Sequence, residues 1–328
     1  MSTEIVNIEQ LDLASIQVPE HPCIPDLTNK REEMWTVIED ERLLAVCALW
    51  AKDTPEFKAY KTGLIGDFFC LRSDAGEALL QHVSSRLKEL GCNYVIGPMN
   101  GDTWHSYRLV TEPGEWPPFF MEYFTPKEWP AIFTNTGFKE IAGYSSAMAL
   151  NTDYDDRSAE KFMQKKQGLD LVIRPFRIEH SVTELTAVHE LSLQSFSSNF
   201  LYSEILQHDF LKLYEKIVPY VDPDFFLLAE HHGKLVGFIF AVPDFMQRQR
   251  GLDIDCLIIK TVAKIPGRQY AGLGNYLVHE IHRQATAKGF KQIIHALMYD
   301  SNVSMAISGK SAQTMRKYAL YGKELTQW

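Results

Sequence analysis

Two glycines with one residue between them, Gly272 and Gly274, separate an apolar strand-like run from an amphipathic helix, and they constrain this chain more than any other feature. Upstream, residues 252–263 (LDIDCLIIKTVA) are rich in β-branched and aliphatic side chains and run into Pro266, a strand with a stop signal. Downstream, Leu273, Leu277, Ile281 and Ala285 recur at every fourth position and outline one helix face that closes at Lys288 and Gly289. Residues 291–298 (KQIIHALM) read as another short strand. Strand, glycine loop, helix and strand make a βαβ-type unit, which puts the loop at the C-terminal end of a strand, where anions are usually bound. Glycine lets the main chain approach an anion with no Cβ in the way, and the helix start adds unpaired N–H groups and a positive dipole end.

Two familiar glycine loops are excluded. A dinucleotide fold needs G-x-G-x-x-G and an acid at the end of the next strand, which here closes on Ala296, Leu297 and Met298. A Walker loop needs Gly-Lys-Ser/Thr after the glycines, and none follows.

The hexapeptide Gln269, Tyr270, Ala271, Gly272, Leu273, Gly274 reads Q-x-x-G-x-G and is preceded by KTVAKIP at 260–266. Together they resemble the acyl-CoA loop of the GNAT N-acyltransferases, T-V-x-V-x-P-x-x-R/Q-x-x-G-x-G. The order of elements over residues 169–328 (strand, two helices, three strands, helix, strand) resembles the same family. The resemblance implies acetyl-CoA as co-substrate and no metal. It implies that the backbone of Val262 and Lys264 meets the pantetheine and diphosphate, that residues 269–275, ending at Asn275, cradle the diphosphate, and that Asn302 lies near the pantetheine arm. Lys264 departs from the family, which prefers an apolar residue there.

The first half repeats the cadence more faintly. Residues 43–50 and 62–71 read as strands, Ala78, Leu79, Val83, Leu87 and Leu90 outline a helix ending at Gly91, and residues 94–97 form a short strand. Its strand-to-helix loop, residues 72–76 (RSDAG), has no Q-x-x-G-x-G, and Asp74 would repel a diphosphate. The expected architecture is therefore α/β, with two GNAT-like units in tandem, each a central mixed sheet flanked by helices. A unit over residues 1–155 would lack a CoA loop, and one over 166–328 would carry it, divided by the polar stretch at 151–158. At 328 residues the chain has room for both cores.

Candidates for chemistry are sparser. The family often places a glutamate on the strand before the loop, where this chain has Leu257, Ile258 and Ile259. Asp253 and Asp255 share a strand face, Glu230 and His231 end an earlier strand, and Tyr318 and Tyr321 lie on a last strand. Of these, Asp255, Tyr318 and Tyr321 are the catalytic candidates. Cys256 reads as a small core hydrophobe rather than a nucleophile. Residues 97–108 and 116–124 gather aromatic and polar side chains in loops forced by proline and glycine. Trp104, Tyr107, Arg108 and Glu122 are the acceptor-binding candidates, with bracing of the domain interface as the competing role.

A net charge of −9 argues against nucleic acid or an anionic membrane as the main partner, and leaves a small-molecule or peptide amine as the expected acceptor. A homodimer is compatible with the sequence. Five dispersed cysteines and a start without a basic or apolar leader fit a cytoplasmic protein. The reaction expected is N-acyl transfer, most simply acetyl transfer, to a primary amine. The alternative is a non-catalytic acyl-CoA-binding sensor or scaffold.

Overall fold

A computed structural model describes residues 3–150, 157–166, 168–300 and 312–325. The first half contributes β1 (Thr3–Asn7), β2 (Glu33–Glu39), β3 (Arg42–Trp50), β4 (Thr62–Cys70), α1 (Ser73–Glu89), β5 (Tyr94–Gly97), β6 (Leu109–Glu112), α2 (Trp129–Asn135) and β7 (Lys139–Ala149). A linking helix, α3 (Arg157–Lys166), precedes β8 (Leu171–Pro175), α4 (Ser181–Phe196), α5 (Gln207–Glu215), β9 (Phe226–His231) and β10 (Lys234–Pro243). The second half continues through α6 (Phe245–Gln249), β11 (Cys256–Lys264), α7 (Leu273–Ala287), β12 (Gln292–Tyr299) and β13 (Ala312–Glu324). The strand read from residue 252 starts at Cys256, and the two helices expected after the first strand of this half are α4 and α5. The polar, lysine-rich boundary segment contains α3, which packs against α7.

All the strands belong to one sheet, in the order β1-β2-β3-β4-β5-β13-β7-β12-β11-β10-β9-β8, with β6 also on β13. Each half thus receives the last strand of the other. β13 pairs with β5 and β6 on one edge, while β7 pairs with β12, and the two exchanged strands run antiparallel to each other at the centre. The exchange fuses the halves through main-chain bonds, so neither sheet is completed by its own segment.

Periodicity explains the elements flanking the site. In α7 the side chains of Leu273, Leu277 and Ile281 are fully buried against β10 and β11, each contributing about 1.5–3 kcal/mol. The helix ends in a Schellman-type turn, with Gly289 at φ +82° and the Phe290 amide bonded to the Ala285 carbonyl at 3.0 Å. In β11, Cys256, Leu257, Ile258 and Ile259 are all buried, as a strand covered on both faces requires.

Candidate active site

The glycine loop presents a bare helix start. Gly272 is the N-cap of α7 in the left-handed conformation, φ +91°, which favours glycine, and no side chain caps the helix. The first intrahelical bond runs from the Tyr276 amide to the Gly272 carbonyl at 3.0 Å, so the Leu273 and Gly274 amides precede it. The loop is anchored from below: Tyr270 is buried, and its hydroxyl lies 2.8 Å from His231 Nδ1 on β9. His231 therefore positions the loop. Beside it stands α3, with Lys165 Nζ donating to the Arg268 carbonyl at 2.9 Å and Lys166 Nζ to the Tyr276 hydroxyl at 3.3 Å. Neither lysine was singled out in the sequence, because a basic linker reads as a solvated one.

Next to the loop, two parallel strands part. β11 pairs with β12 only from Cys256–Gln292 to Ile259–His295. Lys260 is then bulged out of the β10–β11 register, which passes from Ala241–Ile259 to Phe240–Thr261. On β12, Leu297 takes a positive φ of +57°, and the register with β7 shifts between His295 and Met298. Past the fork, the Ile265 amide bonds to the Val236 carbonyl at 2.9 Å. By strand alternation, the backbone groups of Val262 and Lys264 point away from β10, into the gap.

Loops of the first half carry polar side chains to this fork. Arg108 is buried, its guanidinium 3.9 Å from the Tyr107 ring centroid and 4.2 Å from that of Tyr144, and it donates to the Leu297 carbonyl at 3.4 Å. Lys260 donates to the Met121 carbonyl at 2.9 Å. Burial, with the Arg108 charge adding to it, lowers its pKa to about 8. Glu122 and Arg316 form a fully buried ion pair at 2.8 Å. The Tyr318 hydroxyl also donates to Glu122 and lies 3.1 Å from Ser146 Oγ, which accepts from the Leu297 amide at 3.0 Å. Burial first, then the Glu122 charge, raises the Tyr318 pKa and keeps the phenol neutral. Lys260, Arg316 and Ser146 were missed in the sequence. A single Lys after four apolar strand residues was the one available signal.

The remaining candidates lie elsewhere or are otherwise engaged. Asp255 precedes β11 at the end opposite the loop, where hydrogen bonding by Gln247 at 2.8 Å, then Lys291, holds its carboxyl below the usual range. Tyr321 is buried in the first half's core, 5.8 Å from the Phe133 ring. Glu230 pairs with Arg174. Trp104 donates from Nε1 to the Ser203 carbonyl at 2.8 Å and packs edge-on against Phe210, so this residue braces α5. Cys256 is buried, which pushes its thiol pKa up. Asn302 lies outside the described residues. A cavity of about 590 Å³ lies away from the fork, between β2 and α1, lined by Glu33, Trp35, His82 and Arg86 among others. Among the described residues no cluster suits a metal, and no helix is long and apolar enough to cross a membrane.

The equivalent place in the first half is closed. β4 and β5 pair in parallel from Thr62–Tyr94 to Leu64–Ile96 and then part. There the Met99 amide bonds to the Ile65 carbonyl at 2.8 Å, and Asn100 exchanges hydrogen bonds with Asp67 at 2.8 and 2.6 Å. A Cβ at Gly66 would collide with the Met99 carbonyl, so the chain's own backbone fills this fork. At the start of α1, Arg72 pairs with Asp74 and Glu39.

No protein-family model matches the sequence, and a search of curated proteins finds no relative. Solved structures do match. A tandem GNAT protein from the clavulanic acid biosynthesis pathway aligns over 100% of both chains, at 12% identity and a TM-score of 0.51. The fold is the GNAT fold. A GCN5-related N-acetyltransferase from Sphaerobacter thermophilus matches 90% of this chain and 82% of its own, at 11% identity and a TM-score of 0.52. Another, from Anabaena variabilis, matches 93% of this chain and 64% of its own, at 11% identity and a TM-score of 0.53. The GNAT neighbours cover both halves, in keeping with the mixed α/β architecture read from the sequence.

Proposed function

We propose that the protein is an acyl-CoA-dependent N-acyltransferase that moves an acetyl group from acetyl-CoA to a primary amine, working in the cytoplasm without a metal. One observation carries the reading: the second half joins a glycine-capped helix start to an adjoining fork of parted strands, while the first half closes its fork with its own backbone and has the paired Arg72 and Asp74 where the glycines would be. A diphosphate at residues 269–275 would meet main-chain N–H groups and the positive end of α7. Val262 and Lys264 would offer backbone groups to the pantetheine arm, and Lys165 and Lys166 add positive charge beside the loop.

In the reaction, the amine nitrogen bonds to the thioester carbonyl carbon, the C–S bond breaks, and the proton lost by the amine ends on the leaving thiolate. Glu122 is committed to Arg316 and Tyr318, so the amine is best delivered neutral, with Tyr318 ordering the site as a donor. The same commitment of Glu122, and that of Asp255, favours a second reading: a non-catalytic acyl-CoA-binding sensor or scaffold. CoA release from acetyl-CoA over a panel of primary amines separates the two. Amine-dependent release establishes transfer, whereas acetyl-CoA binding with no release from any amine leaves the sensor.

A further inference from the structure

The fork holds more positive charge than its protein partners balance. Glu122 is the carboxylate paired in this cluster, and it is taken by Arg316 at 2.8 Å. Arg108 and Lys260 form no ion pair among the described residues, their hydrogen bonds going to the carbonyls of Tyr107, Leu297 and Met121. The segment that follows β12, residues 301–311, contains no Asp or Glu. Taking the buried Arg108 out of water without a counter-ion costs several kcal/mol, the half-buried Lys260 bears part of such a cost, and such groups are normally paired. The cost is partly offset for Arg108 by the faces of Tyr107 and Tyr144. That sandwich also fixes the guanidinium plane. Nε and Nη1 are spent on carbonyls and Nη2 makes no hydrogen bond among the described residues, so one edge of a rigid donor fork remains. The two cations approach the fork from both sides, Lys260 at the bulge of β11 and Arg108 against Leu297 of β12.

We propose that the amine acceptor carries a carboxylate within a few bonds of its nitrogen, and that Arg108 and Lys260 bind this carboxylate at the β11–β12 fork. This rests on the acetyl-transfer reading and specifies its substrate class as amino-acid-like. The carboxylate supplies the missing counter-charge and holds the amine beside the parted strands, where the thioester would lie. Arg108 is a specificity residue: it contacts Leu297 of β12 and none of residues 269–275 among its hydrogen bonds, so its effect is separable from diphosphate binding.

The experiment measures acetyl-CoA binding by calorimetry and CoA release with matched acceptors: the proteinogenic L-amino acids and straight-chain ω-amino acids, each against its carboxamide. For the best acceptor, the acid is expected to exceed its amide in kcat/KM by about 100-fold, as for a charge-assisted contact. In Arg108→Met that ratio falls to within about 3-fold while the acetyl-CoA Kd holds, and Arg108→Lys recovers part of it. Lys260→Met, which removes the half-buried charge at the bulge, is expected to lower the ratio independently should Arg108→Met be unstable. Acetyl-CoA binding together with amides that react as well as acids would overturn the proposal and leave the transfer reading standing. Absence of acetyl-CoA binding would remove both.

Discussion

The two forks of this sheet are built on one plan and finished in opposite ways. In each half a strand bulges where it parts from its parallel neighbour, at Asp67 in β4 and at Lys260 in β11. Asp67 is satisfied within its own half, by Arg31 at 2.6 Å and by Asn100. Among the described residues Lys260 makes no ion pair, donating to the Met121 carbonyl and lying 5.9 Å from the Phe119 ring centroid, both brought by the other half. The helix starts differ in charge and backbone, Arg72 and Asp74 pairing beside one and Gly272 taking a left-handed φ at the other. A fold duplicated in tandem can thus retire one copy by filling it with its own polar groups. The copy that stays open takes its walls from the retired one: Tyr107, Arg108 and Glu122 all come from the first half.

That comparison can be broken at several points. The largest effect belongs to the buried pair joining the halves. Glu122→Ala leaves Arg316 charged and unpaired, and should cost about 3–5 kcal/mol in denaturant unfolding. Arg31→Ala, which strands the better-solvated Asp67 pair, should cost about 1–3 kcal/mol. Equal losses would mean that the open fork is no more dependent on the interface than the closed one.

The next test is a gain of stability. Lys260 has a folded pKa of about 8, below its ordinary value of 10.5. Between those values the unfolded chain holds more proton, so native stability rises with pH across that window, and the cost of burying the charge is fully present below it. Arg108 and Glu122 are the charges that bear on it, the first lowering and the second raising its pKa. Lys260→Met should therefore stabilise the protein by about 1–3 kcal/mol at pH 7, with the gain fading between pH 8 and 10.5. A loss at pH 7 would show that the charge already has a counter-ion.

How much of this was legible in the sequence follows from where each residue's partners lie. α7, β11 and β12 were readable because Leu273, Leu277 and Ile281, and the run from Cys256 to Ile259, carry complete local periods. The bare cap was readable for the same reason, since Gly272 acts through its own backbone. The exchange of β7 and β13 was not, because Tyr318 pairs with Tyr144 and Val110, far away in the chain, and no local pattern encodes that choice. Lys260 looks like any solvated strand lysine until residues 108–122 cover it. Glu122 was picked out as an acceptor-binding candidate by its aromatic neighbours, but its commitment to Arg316 depends on the exchanged strand.

A smaller effect probes the closed half. Asp74→Ser removes the acid at the start of α1, and should change stability by less than about 1 kcal/mol. It should leave acetyl-CoA stoichiometry at one site per chain, because Met99 and Asn100 still fill the fork. A second site appearing in calorimetry would mean that charge alone had closed it.

The most direct test of the central claim is calorimetric titration of acetyl-CoA into the wild type, Gly272→Asn and Gly272→Asp. Asn and Asp both tolerate the left-handed backbone better than other side chains, so the pair differs in charge rather than in strain. One site per chain is expected, retained within about 10-fold in Gly272→Asn and weakened at least about 30-fold further in Gly272→Asp. No binding by the wild type, or equal affinity in Asn and Asp variants, would contradict a diphosphate held at the start of α7.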